Sequence, residues 1–415
     1  MPAKKKHCTL GGRKRFALSR LSEVAAIRVS GSGSVTMQRD LMEVCCMYAP
    51  LPMVPGPVTV PEYVLKALGT DYPSGQIDES YFSLVRSCER SLGRLMGTRN
   101  RIVFLSGEGM LALWAALKSV VTAESEVFVV SCGVFGEGIA DMARSLGAKV
   151  DCLSLGFDAT LTEEDLAVLE ERFSRHVPDL LCAVHCETPS GTLNPLAALG
   201  QLKERYGVPL FYADVVSSLA GTEVLADAWH IDLALGGSQK CLSLPPSLCF
   251  VGVSPRAWRR IEEVGYQGYD ALLPFQRIYE EGRCPYTPNW HALAGLRASL
   301  DALSAEGYEQ VFQRHEEAAR VCRAGLSALE IPLWPRKGAC LSPTVTAALI
   351  PETYSWQEWQ KELGKRGLVV AGSFGPMQGK VFRLGHMGSQ AQKAFVCSAL
   401  DVIEEVAGLR RTRMV

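Results

Sequence analysis

Short apolar runs alternate with segments of helical spacing over most of the chain. Residues 101–105, 126–130 and 180–184 are mainly apolar runs bounded by polar residues, and amphipathic spacing accompanies them, as in residues 84–96. Apolar runs of this length are typical of strands buried on both faces, and their alternation with helices predicts a parallel sheet covered by helices. We therefore expect an α/β fold.

The same pattern divides the chain into three parts. Residues 1–47 are basic and show no regular apolar spacing, so we expect a disordered leader. Residues 48–305 contain most of the strand and helix signals and predict a large domain, whereas residues 306–415 predict a smaller α/β domain. The leader has three interpretations: a targeting segment, a basic tail or an over-extended start of translation. Its lysine cluster favours the last two.

Composition narrows the class of protein. A chain of 415 residues with 47% apolar content can bury a large core without disulfide bonds. The formal net charge of −1 gives no general attraction for nucleic acid or an anionic membrane, and no apolar run reaches transmembrane length. The 14 cysteines are scattered without paired spacing, as in reduced cytoplasmic proteins. We expect a cytoplasmic protein with no nucleic-acid or membrane partner.

Two polar residues follow buried apolar runs in the middle of the chain. Asp214 ends the run 208–213, and Lys240 follows the run 231–235 and a glycine pair. Ligands of open α/β sheets bind at the carboxyl ends of strands, where a buried lysine amine becomes neutral and nucleophilic. We predict that Lys240 forms a Schiff base with pyridoxal phosphate (PLP) and that Asp214 keeps the ring nitrogen protonated. A solvated lysine and a turn-capping aspartate are the structural alternatives.

The residues around this pair resemble a known family. Residues 212–222, the His-Ile-Asp sequence at 230–232 and the Ser-Gln-Lys sequence at 238–240 are similar to class V of the fold-type I PLP enzymes, especially the alanine–glyoxylate and serine–pyruvate aminotransferases. The resemblance extends from about residue 55 to residue 406. It implies a large domain with a mostly parallel seven-stranded sheet between helices, and a smaller C-terminal α/β domain.

The resemblance also implies a phosphate-binding turn. Glu108, Gly109 and Met110 lie in a turn between a predicted strand and a helix predicted from residue 111 to about residue 121, an arrangement that directs backbone N–H groups at a phosphate. Ser238 can donate a further hydrogen bond to it. Glu108 departs from the small hydroxyl residue that the family usually has there. Because a carboxylate would repel a phosphate, Glu108 must point away from it, or this assignment is wrong.

Further positions match the family's contacts to the ring and to a second subunit. Phe135 matches an aromatic residue that stacks on the ring, and Thr188 or Ser190 would bond its phenolic oxygen. Thr287 matches a threonine that reaches the phosphate of the neighbouring subunit, which implies a homodimer with active sites at the interface. A core position for Phe135 and a helix cap for Thr287 are the structural alternatives. The expected cofactor-binding residues are Glu108, Gly109, Met110, Phe135, Thr188, Ser190, Asp214, Ser238, Gln239, Lys240 and Thr287.

Two positions are expected to contact substrate. Arg383 lies in an apolar strand pattern, where an arginine is costly unless it has an anion partner, and its planar fork suits a carboxylate. The same motif in the family carries the arginine that binds the substrate carboxylate, and a structural salt bridge is the alternative. Gly56 lies in a Pro-Gly-Pro turn that crosses the mouth of the active site in the family. The His-x-Glu at 185–187 lacks a Pro-Cys-x-x-Cys sequence, so we expect no metal.

These features predict a PLP-dependent aminotransferase. It would move an amino group from a small amino acid of the alanine or serine type to glyoxylate or pyruvate by a ping-pong mechanism, with Lys240 as general acid and base. Residues 185–195 also resemble the 2-aminoethylphosphonate aminotransferases, which keeps the substrate open. A PLP-dependent lyase or a non-catalytic PLP-binding protein of the same fold would also be compatible with these features.

Overall fold

The computed structural model describes residues 50–72 and 78–408, which belong to one compact unit. The expected leader, residues 1–47, lies outside the described residues. The division between residues 305 and 306 stays a prediction. Among the described residues, no helix is both long enough and apolar enough to cross a membrane.

A seven-stranded sheet forms the centre of the fold. Six of its strands are parallel, and β7 runs antiparallel to both of its neighbours, with the strand order β1-β7-β6-β5-β4-β2-β3. The strands are β1 (Arg101–Leu105), β2 (Glu126–Ser131), β3 (Lys149–Ser154), β4 (Leu180–Val184), β5 (Leu210–Asp214), β6 (Leu233–Gly237) and β7 (Cys249–Val253). This arrangement confirms the predicted fold class.

Helices surround this sheet and form most of the C-terminal part of the chain. They are α1 (Glu62–Leu68), α2 (Glu79–Leu95), α3 (Gly109–Val120), α4 (Val134–Ser145), α5 (Glu163–Arg175), α6 (Leu196–Tyr206), α7 (Pro255–Val264), α8 (Ile278–Glu281), α9 (Trp290–Glu306), α10 (Tyr308–Ala328), α11 (Trp356–Lys365) and α12 (Lys393–Ala407). Capping boxes begin two of them. Thr162 and Asp165 exchange hydrogen bonds before α5, and Ser355 and Glu358 do so before α11.

The sheet separates two apolar cores. Val127 and Val129 of β2 pack with residues of α3, α4 and α7, whereas Phe128 and Val130 pack with residues of α2, α6 and α9. Successive side chains of a strand point to opposite faces of a sheet, so a run that is apolar at every position must be covered on both sides. The continuous apolar runs of the sequence therefore correspond to a sheet between two helical layers.

A second, smaller sheet lies in the C-terminal part of the chain. Its antiparallel strands are β8 (Val345–Leu349), β9 (Ala371–Gly372) and β10 (Val381–Gly385), in the order β8-β10-β9. Helices α10, α11 and α12 bury apolar side chains in one core with it. The segment Leu51–Pro52 pairs in parallel with Leu368–Val369, and the residues that follow it lead towards the large sheet.

The two strands that were predicted to carry Asp214 and Lys240 begin two residues later than expected. Strand β5 includes Asp214 as its last residue, and β6 includes the glycine pair Gly236 and Gly237. A Cβ atom on Gly236 would lie 2.1 Å from the ring of Phe250 on β7, so glycine allows the neighbouring strand to pair there. The two functional side chains consequently lie at the carboxyl ends of adjacent parallel strands.

Candidate active site

The turns after five parallel strands meet at one edge of the large sheet. Asp214 ends β5, and Lys240 lies three residues after β6. Helix α3 begins after β1 and helix α4 begins after β2, and Thr188 lies in the loop after β4. Carboxyl ends of parallel strands are the usual ligand-binding edge of an open α/β sheet. The topology therefore brings most of the expected site residues to one edge.

The Lys240 side chain is enclosed by the Pro-Gly-Pro turn. Its Nζ atom donates a hydrogen bond to the backbone oxygen of Pro55 at 2.5 Å. A Cβ atom on Gly56 would lie 2.6 Å from Lys240 Cδ, and Gly56 has a φ of +91°, so only glycine fits this approach without strain. Burial lowers the pKa of Lys240, and the positive charge of Arg383 lowers it further. These surroundings favour the neutral, nucleophilic amine.

Asp214 presents one free carboxylate oxygen. Its Oδ1 atom accepts the N–H of Val216 at 2.8 Å, and its second oxygen accepts no hydrogen bond from residues 50–72 or 78–408. Burial raises the pKa of Asp214 to about 6, against the lowering effects of the Val216 N–H and the Lys240 charge. A protonated ring nitrogen would satisfy the free oxygen, as predicted for a pyridine cofactor.

Arg383 is a buried cation without a carboxylate partner in the described part of the chain. It lies on β10, where its Nε atom donates to the backbone oxygen of Gly372 at 2.7 Å and its guanidinium lies 4.9 Å from the ring centroid of Phe374. Burial lowers its pKa to about 10. The positive charge of Arg383 also lowers the pKa of Lys240. A substrate carboxylate bound there would pair with the Arg383 guanidinium.

The loop after β4 holds a buried carboxylate whose role the sequence did not reveal. Glu187 accepts the N–H of Gly136 at 2.7 Å and that of Phe135 at 3.2 Å, so it caps α4 and holds Phe135 in position. Burial raises its pKa to about 7. The available signal was a carboxylate three residues after the end of a buried strand, near the same edge of the sheet as Asp214 at the end of β5.

Thr188 is the freer of the two candidate hydroxyls in this loop. The Ser190 hydroxyl lies 2.8 Å from the Thr192 hydroxyl and 3.3 Å from the Glu187 backbone oxygen. The Thr188 hydroxyl makes no hydrogen bond within residues 50–72 and 78–408, although the residue is buried. Thr188 is therefore the better candidate for a bond to a ring oxygen.

Two more of the expected residues have different surroundings. The Ser238 hydroxyl donates to the backbone oxygen of Pro245 at 2.6 Å and accepts the Leu248 N–H at 3.2 Å, so its proton is engaged within its own turn. Thr287 lines a cavity that includes Ser106 and Tyr286 but neither Lys240 nor Asp214. Within one chain Thr287 is thus not brought to the lysine, and its contact with a neighbouring subunit stays a prediction.

The side chain of Glu108 stays close to the predicted phosphate-binding turn and does not point away from it. Glu108 precedes α3 without capping it, and its Oε2 atom accepts a hydrogen bond from Gln239 Nε2 at 3.0 Å. Gly109 and Met110 form the first turn of α3, whose N–H groups face the same end of the helix. PLP is the cofactor that the family implies. The residues present fit its pyridine ring and do not fit a phosphate dianion at this turn.

The described residues contain no group of three or more His, Cys, Asp or Glu side chains arranged to hold a metal ion. His185, which precedes the hydroxyl loop, lies 2.9 Å from the Ser218 hydroxyl through Nδ1, and burial lowers its pKa to about 3. Its ring also packs edge-on against Trp229. These contacts give His185 a place in the core beneath the site.

Comparisons with known proteins agree with this geometry. The family model described as "Aminotransferase class-V" matches residues 74–380. The chain is 31% identical over 362 residues to an alanine–glyoxylate aminotransferase of Callithrix jacchus, which covers 85% of this chain and 86% of the relative. It is 29% identical over 357 residues to a pyridoxamine–pyruvate transaminase of Mesorhizobium japonicum, with coverages of 84% and 89%.

A solved structure extends the comparison to three dimensions. The crystal structure of pyridoxamine–pyruvate aminotransferase from Mesorhizobium loti superposes with a TM-score of 0.82 at 26% identity, covering 88% of this chain and 95% of the solved chain. The fold and the site define an α/β enzyme with a lysine, Lys240, at the carboxyl edge of its sheet. The chain belongs to the class V aminotransferase family. The resemblance predicted from the sequence, and its assignment to an aminotransferase, are confirmed.

Proposed function

We propose that the protein transfers an amino group between a small amino acid of the alanine or serine type and a small 2-oxo acid, glyoxylate or pyruvate. The observation that carries this proposal is the buried guanidinium of Arg383, which has no carboxylate partner in residues 50–72 and 78–408 and whose charge lowers the pKa of Lys240. Relatives named for alanine with glyoxylate and for pyruvate support the same substrate class.

Each site residue has a defined task in this reaction. Arg383 binds the substrate carboxylate, which fixes the amino acid with its Cα–H bond near Lys240. The neutral Nζ of Lys240 accepts the Cα proton and later returns it, while Asp214 and Thr188 bind the two polar ring positions. A pyridoxal-type ring, when bound, supplies the electron sink that stabilises the Cα carbanion. Phe135, positioned by Glu187, covers the ring.

Arg383 also favours this proposal over a 2-aminoethylphosphonate donor. That donor has no carboxylate, and the single positive charge of Arg383 would leave part of the charge of its phosphonate dianion unmatched. Amino acids and 2-oxo acids present the matching planar carboxylate on both sides of the reaction. A lyase or a non-catalytic ring-binding protein remains as an outcome of the experiment below.

We also propose a cytoplasmic homodimer. The 11 described cysteines are free thiols and most are buried, which supports a reducing compartment. Thr287 and the exposed Tyr269 lie on the same cavity, apart from the single-chain site. A neighbouring subunit that brings Thr287 to the first chain's site would explain this separation. Sedimentation of the full chain at micromolar concentration tests the dimer, and a monomer that retains full activity contradicts it.

Absorption spectroscopy tests the proposed function. Protein supplied separately with pyridoxal and with PLP is expected to develop, with at least one of the two, a band at roughly 410–430 nm, which alanine or serine converts to about 330 nm. A Lys240→Ala control lacks the first band. Conversion by 2-aminoethylphosphonate alone favours the phosphonate aminotransferase. A Lys240-dependent band that no amino donor shifts would contradict transamination and favour a lyase or a binding protein.

A further inference from the structure

We propose that this site takes its pyridine ring without a phosphate, so that pyridoxamine and pyridoxal, which carry a hydroxymethyl group at that position, are its exchangeable substrate and product. The inference rests on the proposed function, because it names the ring compound that serves Lys240. Its basis is the pair formed by Glu108 and Gln239 at the beginning of α3.

The N-terminal end of α3 already carries the negative charge of Glu108. The free N–H groups and the dipole at a helix N-terminus favour an anion, which is why phosphates bind there. In this protein the Glu108 carboxylate already lies at that end of α3. Glu108 forms no ion pair with a basic side chain in residues 50–72 or 78–408, so its charge is not neutralised. A phosphate dianion at the same turn would meet an uncompensated like charge.

The contact with Glu108 sets the orientation of the Gln239 amide. A carboxylate oxygen can only accept a hydrogen bond, so the Gln239 amide must direct its NH2 group at Glu108 and its Oε1 atom elsewhere. That Oε1 atom is buried and has no hydrogen-bond partner among the described residues. A Cβ atom on Gly237 would lie 2.7 Å from this Oε1 atom and 3.2 Å from the backbone nitrogen of Gly109, so the unpaired oxygen lies at the beginning of α3. A buried, unpaired acceptor at this turn calls for a donor.

The hydroxymethyl and the phosphate forms of the ring differ in the hydrogen bonds that they can make at this turn. A hydroxymethyl O–H can donate to Gln239 Oε1 or to the Glu108 carboxylate, whereas a phosphate dianion offers only acceptors. The nearby Ser238 hydroxyl cannot compensate for a phosphate, because its proton is engaged with Pro245. The hydrogen-bonding groups of the turn therefore match an uncharged alcohol.

The absence of the phosphate also changes the role of the ring in the reaction. A ring without the phosphate lacks the charged contacts that hold a phosphate in place, so it can leave after each half-reaction and act as a substrate. Pyridoxamine and a 2-oxo acid then give pyridoxal and an amino acid. The C4′–N bond of pyridoxamine breaks and a C–N bond forms at C2 of the oxo acid. Two electrons pass from C4′ to C2, the oxygen balance closes through water, and Lys240 carries the proton between the two carbons.

Calorimetric titration of the full chain with pyridoxamine and with pyridoxamine 5′-phosphate tests the inference. Neither amine can form a Schiff base with a lysine, so the ratio of their dissociation constants reports the phosphate turn alone. We expect the wild-type protein to bind pyridoxamine at least about tenfold more tightly, since one like-charge contact of about 1.4 kcal/mol suffices for that ratio. Glu108→Ser, which restores a small hydroxyl, is expected to invert the preference.

Two further variants make the result interpretable. Glu108→Gln removes the charge and keeps the size, so it is expected to lower the preference without inverting it. Glu163→Ser, on the exposed first turn of α5, is the control and should leave the ratio unchanged. A wild-type protein that prefers the phosphorylated amine, or a ratio that Glu108→Ser does not move, would overturn the inference and leave the aminotransferase proposal standing. Failure of both ring forms to give a Lys240-dependent absorption band would overturn both.

Discussion

The two ends of strand β6 hold two buried groups of charged residues with opposite properties. At its beginning, Lys203 is completely buried and pairs with Asp232 at 3.1 Å and Glu204 at 2.8 Å. Asp232 is also bound by Ser254 at 2.6 Å and by Arg256 at 3.2 Å. Every charge in this group, which we call the structural ion cluster, is matched within the chain.

Three residues after the same strand ends, the charges are unmatched. Lys240 donates to a backbone oxygen, and Arg383, Asp214 and Glu108 have no ion pair in the part of the chain that the structure describes. Burying an unpaired charge is costly, so such an arrangement persists only where a ligand completes it. The comparison teaches that the partners of a buried lysine, and not its burial, separate a structural role from a catalytic one.

The largest expected effect on activity comes from replacing Lys240, the lysine of the site with unmatched charges. Lys240→Ala is expected to lower kcat/KM at least about 1,000-fold, because it removes both the ring attachment and the general acid and base. Its thermal stability should not fall, since the residue makes no ion pair to lose. Steady-state kinetics and a melting curve measure the two quantities. A variant with more than a tenth of wild-type activity would disprove the assignment of Lys240.

The matching change in the structural ion cluster should act on stability. Lys203→Ala leaves Asp232 and Glu204 without their buried partner and is expected to cost about 3 kcal/mol in the free energy of unfolding, at the lower end for such a loss because Arg256 and Ser254 remain. Urea unfolding measures it. The control is Lys149→Ala, which breaks an exposed pair and should leave stability unchanged. A stable Lys203→Ala protein would remove the contrast between the two lysines.

Arg383→Lys tests whether the unmatched cation recognises a carboxylate. The variant keeps a positive charge and loses the planar fork, so kcat/KM should fall about 100-fold, equivalent to about 2.7 kcal/mol. The change is expected mainly in KM for the amino acid and the oxo acid. Arg320→Lys, in an exposed pair with Glu317, is the control and should behave as wild type. A fall in kcat alone would show that Arg383 does not bind the substrate carboxylate.

The smallest expected effect concerns pH and the stability of the ligand-free protein. Burial raises the pKa of Asp214 to about 6 from its ordinary value of 3.8, so the folded state prefers the protonated acid. The stabilising contribution of that proton is complete below the unfolded pKa and is lost as the pH rises through about 6. Asp214→Asn keeps the acceptor for Val216 and should therefore be more stable than wild type at pH 8, by roughly 2 kcal/mol.

Unfolding by urea at pH 4 and at pH 8 checks this sign. The two proteins should differ little at the lower pH, where both carry a neutral side chain at residue 214. A wild-type protein that gains stability relative to Asp214→Asn between these pH values would contradict the raised pKa and the view that this carboxylate waits for a cationic ligand.

The sequence was sufficient for the fold class and for placing the two predicted catalytic residues at one edge of the sheet. Strands at 101–105 and 180–184 were predicted at their observed bounds, because the polar residues on either side of each apolar run mark where the strand begins and ends. Asp214 and Lys240 were predicted as site residues because each follows an apolar run; in the structure Asp214 is the last residue of β5 and Lys240 lies three residues after β6. Because the two strands are parallel, the residues at their carboxyl ends lie at the same edge of the sheet.

The remaining features depend on contacts between distant segments. Glu187 caps a helix about 50 residues earlier in the chain, and Glu108 meets Gln239 across 131 residues. Ser238 was expected to donate to a phosphate, yet its proton is engaged with Pro245, seven residues later in its own turn. A side chain's partner is set by the path of the backbone in three dimensions, which local spacing does not report.

The most direct test of the central claim identifies the lysine that becomes attached to the ring. The full chain is incubated with pyridoxal or PLP, reduced with borohydride, digested and mapped by mass spectrometry. We expect the reduced ring on Lys240 in nearly all molecules and none on Lys203, whose amine is held by two carboxylates. Labelling of Lys203, or of exposed lysines with Lys240 unmodified, would contradict the claim that the unmatched site at the end of β6 is the catalytic one.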